Sequence, residues 1–131
     1  MIKVGSSRLV ILIGSWAIKI PFNKCGIEQS YQEIKTWDKY KTFPFNKILF
    51  KIKFITVHRR AKSINNYEFK YLRQYIKILE TRYPELQFEH GDIYRFENWG
   101  RVNNKLVITD YGLTEEIEEK YYKNGITNKD N

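Results

Sequence analysis

His90-Gly91-Asp92, then Asn98, then Leu106-Val107-Ile108-Thr109-Asp110-Tyr111-Gly112-Leu113: this stretch decides how the chain is read. Two aspartates stand eighteen residues apart, Asp92 and Asp110. The first follows His-Gly and is trailed by an amide. The second ends an apolar run and precedes Tyr-Gly. Phosphoryl transfer needs one carboxylate to orient an attacking hydroxyl, and an amide with a second carboxylate to hold a metal against phosphates. Each piece alone has an ordinary explanation, since His-Gly-Asp and Asp-Tyr-Gly are both turn signals. Their joint order is what carries information.

Upstream, residues 9–13 read as a strand, Gly14-Ser15 as its turn, and Trp16-Ala17-Ile18-Lys19-Ile20-Pro21 as the returning strand. Alternation puts Ala17 and Lys19 on one face and Trp16, Ile18 and Ile20 on the other. A helix is expected over 28–40, where Ile27, Tyr31, Ile34 and Trp37 or Asp38 recur at helical spacing. Glu33 lies beside that stripe and is the favoured inward carboxylate for Lys19. Glu28 in the first turn is the alternative, a residue that also suits a helix N-terminus. Residues 48–57 are β-branched and apolar, one long strand or two strands of a small antiparallel sheet. The clearest helix is 67–83, with Phe69, Leu72, Ile76, Leu79 and Tyr83 in one stripe, Asn65 and Glu68 as a cap pair, and Pro84 as its stop. A last strand over 105–109 delivers Asp110; 114–122 reads as a short helix and 125–131 as a frayed polar tail.

These residues together resemble the protein kinase-like superfamily. His90-Gly91-Asp92 is similar to the catalytic loop of its aminoglycoside and choline phosphotransferase branch. Asp110-Tyr111-Gly112 is similar to the metal-binding Asp-Phe-Gly element, and Ala17-Ile18-Lys19 to the strand that presents the phosphate-pairing lysine. The resemblance covers roughly residues 4–113. It implies an α+β fold: a small antiparallel sheet with one helix, like a kinase N-lobe, plus a reduced helical C-lobe. One domain spans 1–131, with 1–62 N-lobe-like, 63–124 the reduced C-lobe and 125–131 the tail; 59–63 is the hinge where adenine docks. The implied roles are ATP phosphates on Lys19, held by Glu33; magnesium on Asn98 and Asp110; and substrate hydroxyl on Asp92, with His90 bracing the loop. Gly5, Ser6 and Ser7 occupy the place of the phosphate loop, where backbone amides and two hydroxyls face phosphates. Three departures stand out. The loop has one glycine where the family carries two or three. The family's Asn position is Glu97 here and Asn98 follows it, so either the amide or the Glu97 carboxylate takes the metal. The chain also lacks an Ala-Pro-Glu element, and eighteen residues follow Leu113.

Composition bounds the rest. A length of 131 residues fits one domain with a core of its own. The single cysteine, Cys25, excludes an intramolecular disulfide and fits a reducing compartment. No apolar stretch suits a signal-peptide core or a membrane span, so the expectation is a cytoplasmic protein with no membrane partner. The abundant Lys, Ile, Asn and Tyr fit an AT-rich genome, that of a virus or of a mobile element; a viral origin would make the compartment the host cytoplasm. Net charge is +8 and uneven: residues 35–82 hold thirteen basic and three acidic residues, 83–119 three basic and nine acidic. Scattered lysines usually solvate a surface, but a basic face with interleaved aromatics also fits nucleic acid. The leading expectation is an ATP/Mg²⁺-dependent phosphotransferase acting on a protein or small-molecule hydroxyl. The alternatives are a catalytically inactive kinase-like binding or inhibitor protein, and a basic nucleic-acid-binding domain.

Overall fold

The computed structural model describes residues 1–84, 94–112 and 117–123. The fold is α+β. Strands β1 (Ile2–Val4), β2 (Arg8–Ile13) and β3 (Trp16–Pro21) precede helix α1 (Lys24–Lys39); β4 (Ile48–Ile52) and β5 (Ile55–Arg59) follow it. All pair antiparallel in the order β1-β2-β3-β5-β4. The run read as 48–57 is thus two strands, turned at Lys53, whose φ of 54° closes the hairpin. Register sets the chemistry of one sheet face. Lys19 stands between Val10 and Thr56, and Ala17 between Leu12 and His58. A period of two then places Arg8, Lys19, Thr56 and His58 on the same side.

Helix α1 starts at Lys24, earlier than the apolar pattern indicates, because Asn23 caps it: its side-chain oxygen accepts from the Gly26 amide at 2.8 Å. A Cβ at Gly26 would run into the Ser7 carbonyl oxygen, so glycine lets the first turn press against the β1–β2 connection. The buried face of α1 also differs from the expected stripe. Ile27 and Tyr31 are exposed, while Cys25, Gly26, Gln29, Ser30, Glu33 and Ile34 are buried. The helix turns a largely polar face inward because that face meets a cluster of charged side chains on the sheet.

The apolar core lies in the second half. Helix α2 (Asn66–Arg82) buries Phe69, Leu72, Ile76 and Leu79, the periodic positions of its sequence. These pack with Phe43, Phe45, Ile64, Trp99, Ile108 and Tyr111. Ile76 is fully buried, and its side chain alone contributes on the order of 2 kcal/mol by leaving water. Asn65 accepts from the Glu68 amide at 2.8 Å, as a cap should. The Glu68 carboxylate does not return the cap bond; it takes both Nε and Nη2 of Arg101, at 3.0 and 2.8 Å. A second sheet runs β6 (Lys62–Ser63), β7 (Trp99–Val102) and β8 (Lys105–Ile108), in that order. Asn103 and Asn104, at φ 52° and 65°, make the tight β7–β8 turn. The segment after α1 joins the two halves. Asn46 donates to the Ile108 carbonyl at 2.9 Å, and Ile108 to the Pro44 carbonyl at 2.7 Å. A π-helical turn (Glu118–Lys123) carries Lys120, which pairs with Glu28 at 2.9 Å. It overlaps the short helix expected over 114–122 and runs one residue past it; residues 113–116 and the expected tail lie outside the described residues. No described helix is long and apolar enough to cross a membrane.

Candidate functional site

Glu33 is the hub of the molecule. It sits on the inward face of α1 with no exposed surface. Lys19 Nζ lies 3.1 Å from each of its oxygens. Arg8 Nη2 donates to Oε2 at 2.9 Å, and the Tyr111 amide donates to the same oxygen at 3.3 Å. Burial alone would raise the Glu33 pKa; the charges of Arg8 and Lys19 outweigh it and hold the carboxyl well below the ordinary carboxylate range. The group is a carboxylate at any physiological pH. Glu28, the alternative partner for Lys19, faces Lys120 instead.

The pair is joined to the segment that follows β8. Lys19 Nζ also donates to the Thr109 carbonyl at 2.6 Å. Arg8 Nη2 reaches Asp110 Oδ1 at 2.9 Å, so a single guanidinium nitrogen spans Glu33 and Asp110. Lys19 and Arg8 are buried, whereas the Asp110 side chain is 53% exposed. Gly112 completes the fit. A Cβ there would strike the Gln29 carbonyl oxygen and come within 2.9 Å of Glu33 Cγ, so only glycine lets this segment lie on α1.

His58 and Tyr111 close the floor. His58 Nδ1 faces the Asn46 carbonyl at 3.3 Å and Nε2 faces Thr56 Oγ1 at 3.1 Å. A carbonyl only accepts, so the proton belongs on Nδ1 and Nε2 accepts from the threonine hydroxyl. Burial first, and the nearby Lys19 charge second, push the imidazole pKa down to about 4, so it is neutral at pH 7. The Tyr111 hydroxyl donates to the Asn46 carbonyl at 2.8 Å. Burial, then the charge of Glu33, raises its pKa well above the usual phenol value.

A cleft of about 830 Å³ opens over these groups. Lys19, Gly5, Ser6, Ser7, Asn98 and Asp110 all line it, with Glu33 behind Lys19. His90 and Asp92 lie outside the described residues. Arg59 and Lys62 of the expected 59–63 hinge also line the cleft, as do Lys3, Arg8 and Arg95, which the sequence reading did not single out. With Lys19 they set six cationic side chains against two acidic ones, Glu97 and Asp110, which makes an anion the favoured occupant. Arg8 was within reach of the alternation rule, since it shares the parity of Val10 and Leu12 across from Lys19.

The expected phosphate loop is the β1–β2 turn. Its Gly5 amide donates to the Arg8 carbonyl at 2.9 Å, and the buried Ser7 hydroxyl donates to Gln29 at 2.9 Å. These two donors are committed within the protein, where the sequence reading has them facing phosphates. Asn98 ends a 3₁₀ turn (Phe96–Asn98), and its carbonyl accepts from the Thr109 amide at 2.8 Å, which ties it to the residue before Asp110. Glu97 is exposed, with Arg95 at 3.7 Å. Among the described residues no three His, Cys, Asp or Glu side chains gather as a metal site. Asp110 with Asn98 or Glu97 puts hard oxygen donors among the lining of this cation-rich cleft. Magnesium takes such a set, filling its other positions with water and phosphate oxygens. Compared with known proteins, the chain matches no family model, and neither a curated protein nor a solved structure matches it.

Proposed function

We propose that this chain is an ATP/Mg²⁺-dependent phosphotransferase of the protein kinase-like superfamily, with a protein or small-molecule hydroxyl as acceptor. The observation that carries the reading is the buried Lys19–Glu33 pair, strand to helix, with Asp110 at the same cleft. A lysine held this way by a helix glutamate, beside a metal-binding aspartate, is the arrangement that kinase catalysis requires. Glu33 fixes the Lys19 ammonium at the cleft wall, where it would meet the phosphates. Asp110 and Asn98 would hold magnesium, which supplies charge neutralisation on the phosphates when bound. In the same reading Asp92 orients the acceptor hydroxyl, and His90 braces its loop. Neutral His58 adds no charge to the floor, so the cations there are Lys19 and Arg8. A cytoplasmic setting, where ATP and free magnesium are abundant, goes with this reading.

One observation favours a second reading, a catalytically inactive kinase-like binding or inhibitor protein. Arg8 grips Asp110, the carboxylate that the enzyme reading gives to the metal. Thermal melts and a labelled γ-phosphate assay separate the two. The enzyme reading expects ATP with magnesium to raise Tm, Asp110→Ala to remove that shift, and label transfer that Asp92→Asn abolishes. A melt unmoved by millimolar nucleotide and metal sinks the enzyme reading. A shift without transfer leaves the binding protein.

A further inference from the structure

The outer face of α2 lies away from the cleft: no α2 residue is among the described residues that line it. On that face Tyr67 and Tyr71 are 68% and 72% exposed, and Ile78 lies in line with them. The tyrosines are one helical step apart, about 6 Å along the axis. Their rings already touch edge to face, with centroids at 6.2 Å. Beside this aromatic row runs a second row, Lys70, Arg73 and Lys77, all exposed. Glu68 and Glu80 are the helix's acidic residues, and both are engaged at its flanks. Glu68 is taken by Arg101, and Glu80 accepts from the Tyr94 hydroxyl, which raises the Tyr94 pKa. What remains outward is a strip of aromatic rings running beside a strip of positive charge.

From this juxtaposition we infer that the outer face of α2 binds single-stranded nucleic acid, with Tyr67 and Tyr71 stacking on bases and Lys70, Arg73 and Lys77 following the phosphates. Two features choose this partner over an acidic protein. The rings are held by one end on a rigid helix and present their faces and edges to solvent, as a base-stacking platform does. The cations repeat along the same axis, as a phosphodiester chain does. Base stacking and phosphate contacts carry little sequence information, so the binding is sequence-tolerant and strongly dependent on salt. The inference stands apart from the phosphotransferase reading, because it uses none of the cleft residues.

The test is fluorescence anisotropy of the full chain with a labelled oligothymidylate of about 20 nucleotides, long enough to span such a site. Salt is varied from about 20 to about 200 mM. Three cation–phosphate contacts predict a log–log slope of about −2. Tyr67→Ala and Tyr71→Ala should each weaken binding roughly 5- to 150-fold, the range for loss of one stacked base. The triple variant Lys70→Glu, Arg73→Glu and Lys77→Glu should flatten the salt slope. All five side chains are exposed, and an unchanged Tm confirms that each variant is folded. Absence of binding at the lowest salt overturns the inference. So does affinity that the tyrosine variants leave intact. Displacement by polyglutamate as readily as by unlabelled oligothymidylate also overturns it and identifies an acidic-protein surface.

Discussion

Glu33→Gln is the sharpest perturbation of this structure. The glutamate has no exposed surface and takes hydrogen bonds from Lys19, Arg8 and the Tyr111 amide. Glutamine keeps the shape and one carbonyl acceptor, but removes the negative charge between two buried cations. Breaking a buried pair from one side costs about 3–5 kcal/mol, because the partner charge stays buried and uncompensated. Here Arg8 retains Asp110 and Lys19 retains the Thr109 carbonyl, which places the expected loss near the lower bound, about 3 kcal/mol. For a chain of 131 residues that is a fall in Tm of roughly 10–15 °C. Scanning calorimetry at pH 7 measures it, with Glu28→Gln as the control; that glutamate meets Lys120 at the surface, and its loss should leave Tm nearly unchanged. The pH dependence follows from the sign of the shift. The Glu33 pKa is depressed in the fold, so its stabilisation is present above the unfolded value of about 4.3 and fades as pH falls below it. The gap between wild type and Glu33→Gln should therefore narrow in acid. If Glu33→Gln melts with Glu28→Gln at pH 7, Glu33 does not hold the cluster together and the account of the site fails.

His58 should make the fold acid-sensitive over a higher window: its pKa falls from about 6.5 unfolded to about 4 folded, so stability is lost as pH drops between those values, by roughly 3 kcal/mol in full. Urea midpoints measured against pH would show that slope in wild type and its absence in His58→Gln. Gly112→Ala forces a methyl against the Gln29 carbonyl and the Glu33 side chain, and should cost about 1–3 kcal/mol by chemical denaturation; an unchanged midpoint would mean that the segment shifts freely. In the phosphotransferase reading magnesium and the ATP phosphates would lie against each other with opposite charge, so each should strengthen the binding of the other. Calorimetric titration should find each binding more tightly in the presence of the other, and equal affinities with and without the partner would contradict that coupling.

How much of this was legible in the sequence differs by element. Helix α2 was readable because its burial is apolar and its period unbroken: Phe69, Leu72, Ile76 and Leu79 face one core. The Gly14-Ser15 hairpin was readable because an unbroken apolar run, 9–13, and an alternating one, 16–20, flank explicit turn residues. Helix α1 was harder. Its inward positions are Gln29, Ser30 and Glu33, so a hydrophobic rule pointed toward Ile27 and Tyr31, which are exposed. Glu33 was still found, because the resemblance asked for a carboxylate opposite Lys19 and the helical period left few choices. Strands β6 and β7 escaped notice because one has two residues and the other opens on a tryptophan beside a glycine. The segment Phe43-Pro44-Phe45 was given no element in the sequence, yet both phenylalanines are core residues. Nothing local announces that; it follows from a bridge between Phe45 and Ile108, residues far apart in sequence.

The charged cluster is better explained by positioning than by stability. A buried ion pair is often no more stabilising than apolar side chains of equal volume, since desolvation offsets most of the attraction. This chain nonetheless buries Arg8, Lys19 and Glu33 together, beside an apolar core that did not need them. What the charges supply is direction. Arg8 comes from β2, Lys19 from β3, Glu33 from α1 and Asp110 from the segment after β8, so one set of bonds fixes four separate pieces of chain. Apolar packing would hold those pieces close but would leave them free to slide and rotate past one another. Bonds of 2.6–3.1 Å with directional donors do not permit that. They set where the Lys19 ammonium points and where Asp110 meets the cleft. A site that must present a cation and a carboxylate to the same ligand needs that constraint, and a protein selected for stability alone does not.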